Sequence, residues 1–361
     1  MTARRGRAAR ARRAGGLVAV VALGLSLAAC GGGGGGGGGA SAPHVHVEPE
    51  VNFALPPAAD GCTAATPVPG GGTRVPIEVS TVAGQVAEIV NVCIAGQGPF
   101  PFVLDSGAGQ STIDAHLATR LHLASAGQST LFAGVDCTGT AKPVSVAQWS
   151  LEGVDLAPQQ LTSATLPQIG GKGEPVGLLG SDVLARFGAV RIDFAAGDLV
   201  LPGPQGPPLT SETSYTGPIG PAPAPVLTQG GGTTVPVTVS PVPGDVSLSV
   251  AVRFAGGPRR SFVVDTGSSQ SVVSTTVAHA EALPRTDLAQ RQATVCSVIT
   301  VPLVHSGAWS VPGQPLHPQL VGDTSFGTLG LAGTQGLLGS DQLKRYGWVV
   351  FDYSGARMVL G

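Results

Sequence analysis

The chain repeats itself once, and this duplication restricts its fold more than any other feature of the sequence. The stretch GGGTRVPIEVS at 70–80 returns as GGGTTVPVTVS at 230–240, at an offset of 160 residues. Later, GLLGSDVLARFG at 177–188 returns as GLLGSDQLKRYG at 336–347, at an offset of 159. Because similar elements follow in the same order, we expect one fold to occur twice within the chain.

Each copy is predicted to be all-β with minor α. Apolar residues alternate with other residues around Val90 and Val250, which is the pattern of a strand with one buried face. The 55 glycines and 30 prolines favour many turns between short strands, and one clear short helix follows GLLG in each copy. The predicted domains are a first lobe at 67–203, a Pro-rich linker at 204–228 and a second lobe at 229–361.

Residues 1–29 have the features of an export signal. Six arginines precede an apolar run that is too short to span a bilayer stably. The run ends in LAAC, which resembles the lipobox of bacterial lipoproteins and predicts lipidation of Cys30; an ordinary cleaved signal is the alternative. Residues 30–66 begin with nine glycines after Cys30 and are predicted to be a flexible tether. The sequence HVHVE at 44–48 offers potential metal ligands, but its place in a tether favours an incidental cluster and no metal site.

The charge of the chain argues against a nucleic-acid partner. The formal net charge is −2, and it becomes −8 when the six arginines of residues 1–29 are removed. No basic patch remains that could bind a phosphate backbone. The export signal and the predicted lipidation of Cys30 instead predict an extracytoplasmic protein that is attached to the cell membrane through its N-terminal lipid.

Each copy also contains an Asp-Ser/Thr-Gly triplet directly after a short apolar run. The triplets begin at Asp105 and Asp265, which are 160 residues apart. One triplet is a weak signal, because these residue types are common in turns. If the copies pack about a pseudo-two-fold axis, the equivalent loops can meet there, and two touching carboxyl groups then share a proton. The ionised carboxylate can take a proton from water while the protonated one polarises a peptide carbonyl, a reaction for which we expect no cofactor.

The two loops resemble the active-site loops of retropepsin-like aspartic proteases. They read VLDSGAGQSTI at 103–113 and VVDTGSSQSVV at 263–273, and GLLGSD follows each of them further along the chain. The resemblance extends over nearly all of both copies. It implies two β-barrel lobes related by a pseudo-two-fold axis, pairing within one chain as a monomer, and an aspartic endopeptidase that hydrolyses a peptide or protein substrate.

The resemblance also assigns roles to individual residues. Asp105 and Asp265 would be the catalytic pair. The residues that follow them would support the loops, namely Ser106, Gly107, Thr266 and Gly267. The LLG elements would pack behind the loops, through Leu178, Leu179, Gly180, Leu337, Leu338 and Gly339. Two β-hairpin flaps would cover the substrate, and the candidates at 132–144 and 293–304 both lack the tyrosine of pepsin-type flaps.

Four further acids recur in both copies, and we expect none of them to be catalytic. Asp182 and Asp341 stand where the short helix begins, so they are interpreted as helix caps. Asp193 and Asp352 stand near the closing strands and are interpreted as surface or turn residues.

Four cysteines remain if Cys30 is lipidated, and three pairings are possible. Cys137 and Cys296 occupy matching flap positions, so the axis could bring them together. Cys93 is predicted to point outward from its strand, and Cys62 lies in the preceding arm. We therefore predict the disulfides Cys62–Cys93 and Cys137–Cys296; the alternative is that the matching cysteines are small buried residues inherited by duplication.

Two other interpretations of the duplicated loops stay open. The chain could be a catalytically inactive module of the same fold that binds peptides or envelope partners. Alternatively, each copy could pair with a copy in another chain, although the long linker and the unequal copies make this arrangement less economical.

Overall fold

The structure is a computed structural model, and it describes parts of the chain from residue 18 to the end. The described residues are 18–19, 62, 65–69, 71–82, 85–135, 137–167, 175–206, 225–228, 230–242, 245–295, 297–326 and 333–361. Cys30, the HVHVE sequence at 44–48 and most of the predicted signal, tether and linker lie outside these ranges.

The described residues form mostly short strands, as predicted for an all-β chain with minor α. The strands up to residue 201 are β1 (Val18–Ala19), β2 (Thr66–Pro67), β3 (Thr73–Pro76), β4 (Glu78–Val82), β5 (Gln85–Ile94), β6 (Gln97–Asp105), β7 (Thr112–Asp114), β8 (Thr130–Gly134), β9 (Cys137–Val146), β10 (Trp149–Leu151), β11 (Val154–Leu156), β12 (Gln159–Ala164), β13 (Gly177–Gly180), β14 (Ala189–Asp193) and β15 (Asp198–Leu201). The later strands are β16 (Thr233–Val242), β17 (Asp245–Phe254), β18 (Arg260–Asp265), β19 (Val272–Ser274), β20 (Arg285–Ala293), β21 (Val298–His305), β22 (Trp309–Val311), β23 (Gln314–Leu316), β24 (Leu320–Thr324), β25 (Gly336–Gly339), β26 (Trp348–Asp352) and β27 (Arg357–Leu360).

The helices are short. They are α1 (Ala115–Arg120), α2 (Ser181–Leu184), α3 (Thr275–Ala280) and α4 (Ser340–Leu343), with 3₁₀ turns at Ala185–Phe187, Pro225–Thr228 and Lys344–Tyr346. Among the described residues, none of the helices has the length and apolar character needed to cross a membrane.

Each lobe delivers its Asp-Ser/Thr-Gly loop from the same local arrangement of strands. In the first lobe β6 forms a hairpin with β5, and β13 runs parallel to β6 with Gly180 opposite Asp105. In the second lobe β18 forms a hairpin with β17, and β25 runs parallel to it with Gly339 opposite Asp265. The two LLG elements therefore lie directly beside the strands that end in the aspartates, as predicted.

The two lobes join through a shared antiparallel sheet. Its strand order is β3-β15-β14-β26-β27-β16, so the first three strands come from one lobe and the last three from the other. At the centre, β14 of the first lobe pairs with β26 of the second, and Arg191 lies opposite Val350. These two residues are equivalent in the two copies, so the pseudo-two-fold axis passes between them. The predicted two-lobe fold with its pseudo-two-fold axis is confirmed, and the copies pair with each other within one chain.

The prediction of one helix per copy was incomplete, because each lobe has a second one. Helix α1 begins after Asp114, whose carboxylate accepts hydrogen bonds from His116 N–H and Leu117 N–H. Its counterpart α3 begins after Ser274, whose hydroxyl caps Val277 N–H. Each helix has only six residues, too few for an apolar periodicity to stand out in the sequence.

The structure contains a disulfide between Cys62 and Cys93, whose Cα atoms are 5.9 Å apart. Cys93 is 5% exposed, so it is buried where an outward position was expected. Asn91, two residues earlier on the same face of β5, is only half-buried, and Cys93 forms its disulfide with Cys62 on this face. Cys296 and the side chain of Cys137 lie outside the described residues, so the Cys137–Cys296 disulfide stays a prediction.

Candidate active site

Both aspartates of the triplets stand at the last position of a buried strand and are themselves fully buried. Asp105 Oδ1 accepts hydrogen bonds from Gly107 N–H at 2.9 Å and Ala108 N–H at 2.8 Å. Asp265 Oδ1 accepts one from Ser268 N–H at 3.0 Å. These bonds from the loop backbone fix the orientation of each carboxyl group.

The two carboxyl groups face each other across the lobes within hydrogen-bond reach. The remaining oxygens, Asp105 Oδ2 and Asp265 Oδ2, are buried, and no donor among the described residues bonds to either of them. Two buried carboxylates without donors cannot both stay ionised. One proton shared between the two groups supplies the missing donor.

Burial raises the pKa of both groups. Desolvation and the nearby charge of Asp265 hold the pKa of Asp105 well above its usual value. Desolvation raises the pKa of Asp265 to about 7, and the hydrogen bond with Asp105 acts in the opposite direction. The two groups therefore titrate as a coupled pair that shares one proton, and the apparent pKa values belong to the pair.

The glycines of the triplets allow this close approach. A β-carbon at Gly107 would overlap the carboxyl group of Asp265, and one at Gly267 would overlap that of Asp105. Each loop therefore packs its glycine directly against the aspartate of the opposite lobe. Any other residue at either position would push the two carboxyl groups apart.

The hydroxyl residues of the triplets interlock the two loops. Ser106 Oγ donates to Val264 O at 2.9 Å and accepts from Thr266 N–H at 3.1 Å. In the same way, Thr266 Oγ1 donates to Leu104 O at 2.6 Å and accepts from Ser106 N–H at 3.0 Å. All four bonds are buried and join one lobe to the other. The residues predicted to support the loops are thus brought together in the structure.

Removing one interlocking hydroxyl is expected to destabilise the fold measurably. Ser106→Ala leaves Thr266 N–H and Val264 C=O buried without this partner, at a cost of about 1–3 kcal/mol for each group. Urea denaturation would measure the unfolding free energy. Ser125→Ala removes an exposed hydroxyl and serves as the control, with an expected change below about 0.5 kcal/mol. Equal effects of the two substitutions would contradict the interlock.

The two recurring acids after LLG lie behind the loops. Asp182 Oδ1 accepts from Ser111 N–H at 2.9 Å and from Ser111 Oγ at 2.6 Å. Asp341 Oδ1 makes the same two bonds with Ser271, at 2.9 and 2.7 Å. Neither acid stands at the N-cap position, which is a glycine in both helices, so the helix-cap interpretation was wrong in this respect, although Asp341 Oδ1 also accepts from Gln342 N–H in the first turn at 2.9 Å. The acids instead tie the segment that follows each triplet to the LLG strand.

The other recurring pair lies at turns. Asp193 accepts from Ala196 N–H at 3.0 Å, and Asp352 accepts from Gly355 N–H at 2.7 Å. The turn interpretation therefore fits both residues. Asp352 is not a surface acid, however, because it is 1% exposed and pairs with Arg357 at 2.6 Å.

The raised pKa values of the buried aspartates predict that the fold is more stable in acid than at neutral pH. Burial raises the pKa of Asp182 to about 6 and that of Asp265 to about 7, from the ordinary value of 3.8. The folded chain therefore binds more protons than the unfolded chain within this window, and the free energy of unfolding falls as the pH rises through it. Urea denaturation at several pH values checks the sign. A midpoint that rises from pH 4 towards pH 7 would contradict the pKa shifts.

Two hairpins stand where flaps were predicted. The first is β8–β9, and the second is β20–β21, which begins earlier than the predicted range 293–304. Val135 and Val295, at the turns of the hairpins, are buried, and each packs against the opposite lobe. Val135 contacts the group Val263, Val272 and Leu337, and Val295 belongs to a cluster that includes Val103, Ala108 and Leu178. The flap tips therefore cross between the lobes and lie on the strands beside the two aspartates.

Sequence analysis missed two residues beneath the loops, Glu88 and Tyr353. Both are fully or almost fully buried, and each bonds to a serine of the opposite lobe that follows LLG. Glu88 could have been noticed as the one acid within the strand QVAEIVNVCI. Tyr353 carries no such signal, since an aromatic residue after a closing strand is typical of a core position.

Part of the first lobe matches a known protein family in sequence. Residues 90–183 match a family model described as aspartyl protease. No curated protein matches the chain in sequence. Among solved structures, the chain is similar to an aspartic proteinase from Irpex lacteus, with 11% identity, a TM-score of 0.43, and coverage of 80% of this chain and 96% of that one. The predicted resemblance to the aspartic protease family is confirmed for residues 90–183.

Proposed function

We propose that the chain is an extracytoplasmic, lipid-anchored aspartic endopeptidase that hydrolyses peptide bonds with a water activated by Asp105 and Asp265. The observation that carries this proposal is the contact of the two carboxyl groups, each oriented by its own loop. A buried carboxyl pair with one shared proton supplies a general base and a general acid at the same point.

The reaction follows from the single proton shared by the pair. The ionised carboxylate takes a proton from a water molecule, and the water oxygen attacks the peptide carbonyl carbon. The protonated carboxyl group gives its proton to the carbonyl oxygen, so that a neutral tetrahedral diol forms. The first group then gives its new proton to the peptide nitrogen while the second takes a proton from a diol hydroxyl, so the C–N bond breaks and leaves a carboxylic acid and an amine, with no covalent enzyme intermediate.

A peptide can reach the pair only after the flap tips move. Both carboxyl groups are 0% exposed, and Val135 and Val295 pack on the strands that lead to them. The substrate would therefore lift the two hairpins and replace the contacts of these valines with its own side chains. Apolar substrate residues suit the positions that the valines vacate.

The proposal is tested by incubating the purified full chain with a mixed peptide library and identifying products by mass spectrometry. We expect internal cleavage that a statine-type peptide, a mimic of the tetrahedral diol, inhibits. Cleavage that persists in the presence of saturating statine-type peptide would count against an aspartic mechanism.

The same burial favours a second candidate function, that of a catalytically inactive module which binds peptides or envelope partners. Two buried carboxyl groups beneath packed flap tips could stabilise the contact between the lobes without taking part in any reaction. The two functions differ in one measurement: an inactive module binds library peptides, as judged by calorimetry, without yielding cleavage products at any pH from about 4 to about 8.

The anchor is a separate part of the proposal and rests on the LAAC sequence that ends in Cys30. Cells fed a labelled fatty acid should incorporate the label into the chain, and Cys30→Ala should abolish this incorporation. Label that persists in Cys30→Ala would contradict lipidation at this residue.

A further inference from the structure

Beneath each triplet, a serine links the loop to a side chain from the opposite lobe. Ser181 Oγ donates to Ser106 O at 2.7 Å and lies 2.8 Å from the hydroxyl of Tyr353. Ser340 Oγ lies 3.0 Å from Thr266 O and 2.7 Å from Oε2 of Glu88. The two serines are equivalent in position, but Ser181 bonds to a phenol and Ser340 to a carboxyl group.

The single hydroxyl proton of Ser181 limits the hydrogen bonds that the first arrangement can form. A serine hydroxyl has one proton, so it can donate to one acceptor only. Ser181 donates to the carbonyl of Ser106, and the phenol of Tyr353 donates to Ser181. Every polar atom of this chain of bonds is then satisfied, as expected for buried groups.

The second arrangement lacks an obvious donor. Ser340 Oγ lies near two acceptors, the carbonyl of Thr266 and the Oε2 atom of Glu88. If Glu88 were ionised, the single proton of Ser340 would leave one of them without a bond. If Glu88 carries a proton, it donates to Ser340, and Ser340 donates to Thr266, so both bonds form.

The surroundings of Glu88 also favour the neutral form. Its side chain is fully buried, and its Oε1 atom has no hydrogen-bond partner among the described residues. The charged groups that face it are Lys344 and Asp265, which act in opposite directions. Desolvation is the largest effect and raises the pKa of Glu88 to about 8, although the bond with Ser340 and the charge of Lys344 lower it.

We propose that Glu88 is a positioning residue that works as a neutral carboxylic acid, donating to Ser340 and thereby holding the Asp265 loop as Tyr353 holds the Asp105 loop. Its effect on catalysis rests on the proposed peptidase function, whereas its protonation and hydrogen bond do not. When Glu88 ionises, Ser340 turns its proton towards the carboxylate, and Thr266 O loses its partner. A negative charge then also lies near Asp265 and opposes its ionisation.

The first test separates the donor from the charge. Glu88→Gln keeps a donor and cannot ionise, whereas Glu88→Leu has no donor; Tyr353→Phe removes the matching donor in the other lobe. With a peptide that the chain cleaves, we expect Glu88→Leu and Tyr353→Phe to lower kcat by about tenfold with little change in KM. Glu88→Gln should restore most of the lost rate and flatten the decline of kcat above about pH 8.

Glu152→Gln is the control for a buried glutamate that lies away from the loops, and it should leave kcat unchanged. A pH profile of Glu88→Gln that matches the unsubstituted chain, or a Glu88→Gln variant as slow as Glu88→Leu, would overturn the proposed role.

The second test needs no catalytic activity. The infrared difference spectrum between the unsubstituted chain and Glu88→Gln at about pH 6 should contain the carbonyl band of a protonated carboxylic acid. A carboxylate band instead would overturn the assignment, even if peptide cleavage is observed. If the acid band is present and no peptide is cleaved, the proposed peptidase function fails while the neutral state and hydrogen bond of Glu88 stand.

Discussion

Replacing Asp105 with asparagine is expected to lower kcat for peptide cleavage by about 10²–10⁴-fold, and Asp265→Asn is expected to do the same. Each substitution leaves the loop backbone with an acceptor at Oδ1 but removes one of the two carboxyl groups that share the proton. The one carboxyl group that remains cannot be the base that accepts a proton from water and, at the same time, the acid that protonates the carbonyl oxygen.

The combined substitution should be little slower than either single one, because the two groups act as one unit. Asp155→Asn removes an exposed carboxylate in β11 and serves as the matched control, with kcat expected to stay the same. The assay is the initial rate of cleavage of one library-derived peptide, with circular dichroism to verify folding. A folded Asp105→Asn variant that cleaves as fast as the Asp155→Asn control would contradict the proposed roles.

The second large effect is expected from adding a single methyl group at the centre of the site. Gly267→Ala places a β-carbon against the carboxyl group of Asp105, and Gly107→Ala does so against Asp265. The loops can only move apart, at a cost of about 1–3 kcal/mol in unfolding free energy. A displacement of the pair by about 1 Å should also lower kcat by about 10²-fold.

Gly203 provides the matched control, because no atom lies within 4 Å of the β-carbon that alanine would add there. Gly203→Ala should change the unfolding free energy by less than about 0.5 kcal/mol and leave kcat unchanged. Urea denaturation and initial rates, measured on all three variants, check both effects. Gly267→Ala with the stability and rate of Gly203→Ala would show that the lobes do not meet as closely as described.

The duplicated sequence was sufficient to predict the fold and the meeting of the two triplets. Equivalent loops in paired copies of one fold can meet only at the axis that relates them, so the offset of 160 residues between Asp105 and Asp265 carried that information. The hydroxyls of Ser106 and Thr266 bond across the same axis for the same reason.

The interpretation of Asp182 and Asp341 failed because a local rule competed with a tertiary contact. Asp at the start of a helix is a common cap, and the sequence contains no sign that Ser111 or Ser271 would offer both a hydroxyl and a backbone N–H nearby. Asp182 and Asp341 bond to these serines because both acids are buried behind the LLG strands. Such burial arises only when the whole lobe packs, so the local sequence does not predict it.

The residues beneath the loops could not be predicted for a related reason. Glu88 and Tyr353 are not equivalent in the two copies, so comparing the copies does not single them out. Their bonds join residues 252 and 172 positions apart in the chain, a distance over which neither periodicity nor motif spacing carries information. The side chains that differ between the two copies are also the ones that make the two halves of the site unequal.

The proton shared between the lobes can be measured directly by following the side-chain carboxyl ¹³C signals of Asp105 and Asp265 in a pH titration of the full chain. We expect both signals to follow two coupled titration steps that lie above the ordinary pKa of 3.8, with Asp265→Asn lowering the pKa of Asp105 because the neighbouring charge is removed. Two independent titrations near the ordinary pKa of 3.8, with Asp105 unaffected by Asp265→Asn, would contradict the existence of a coupled pair.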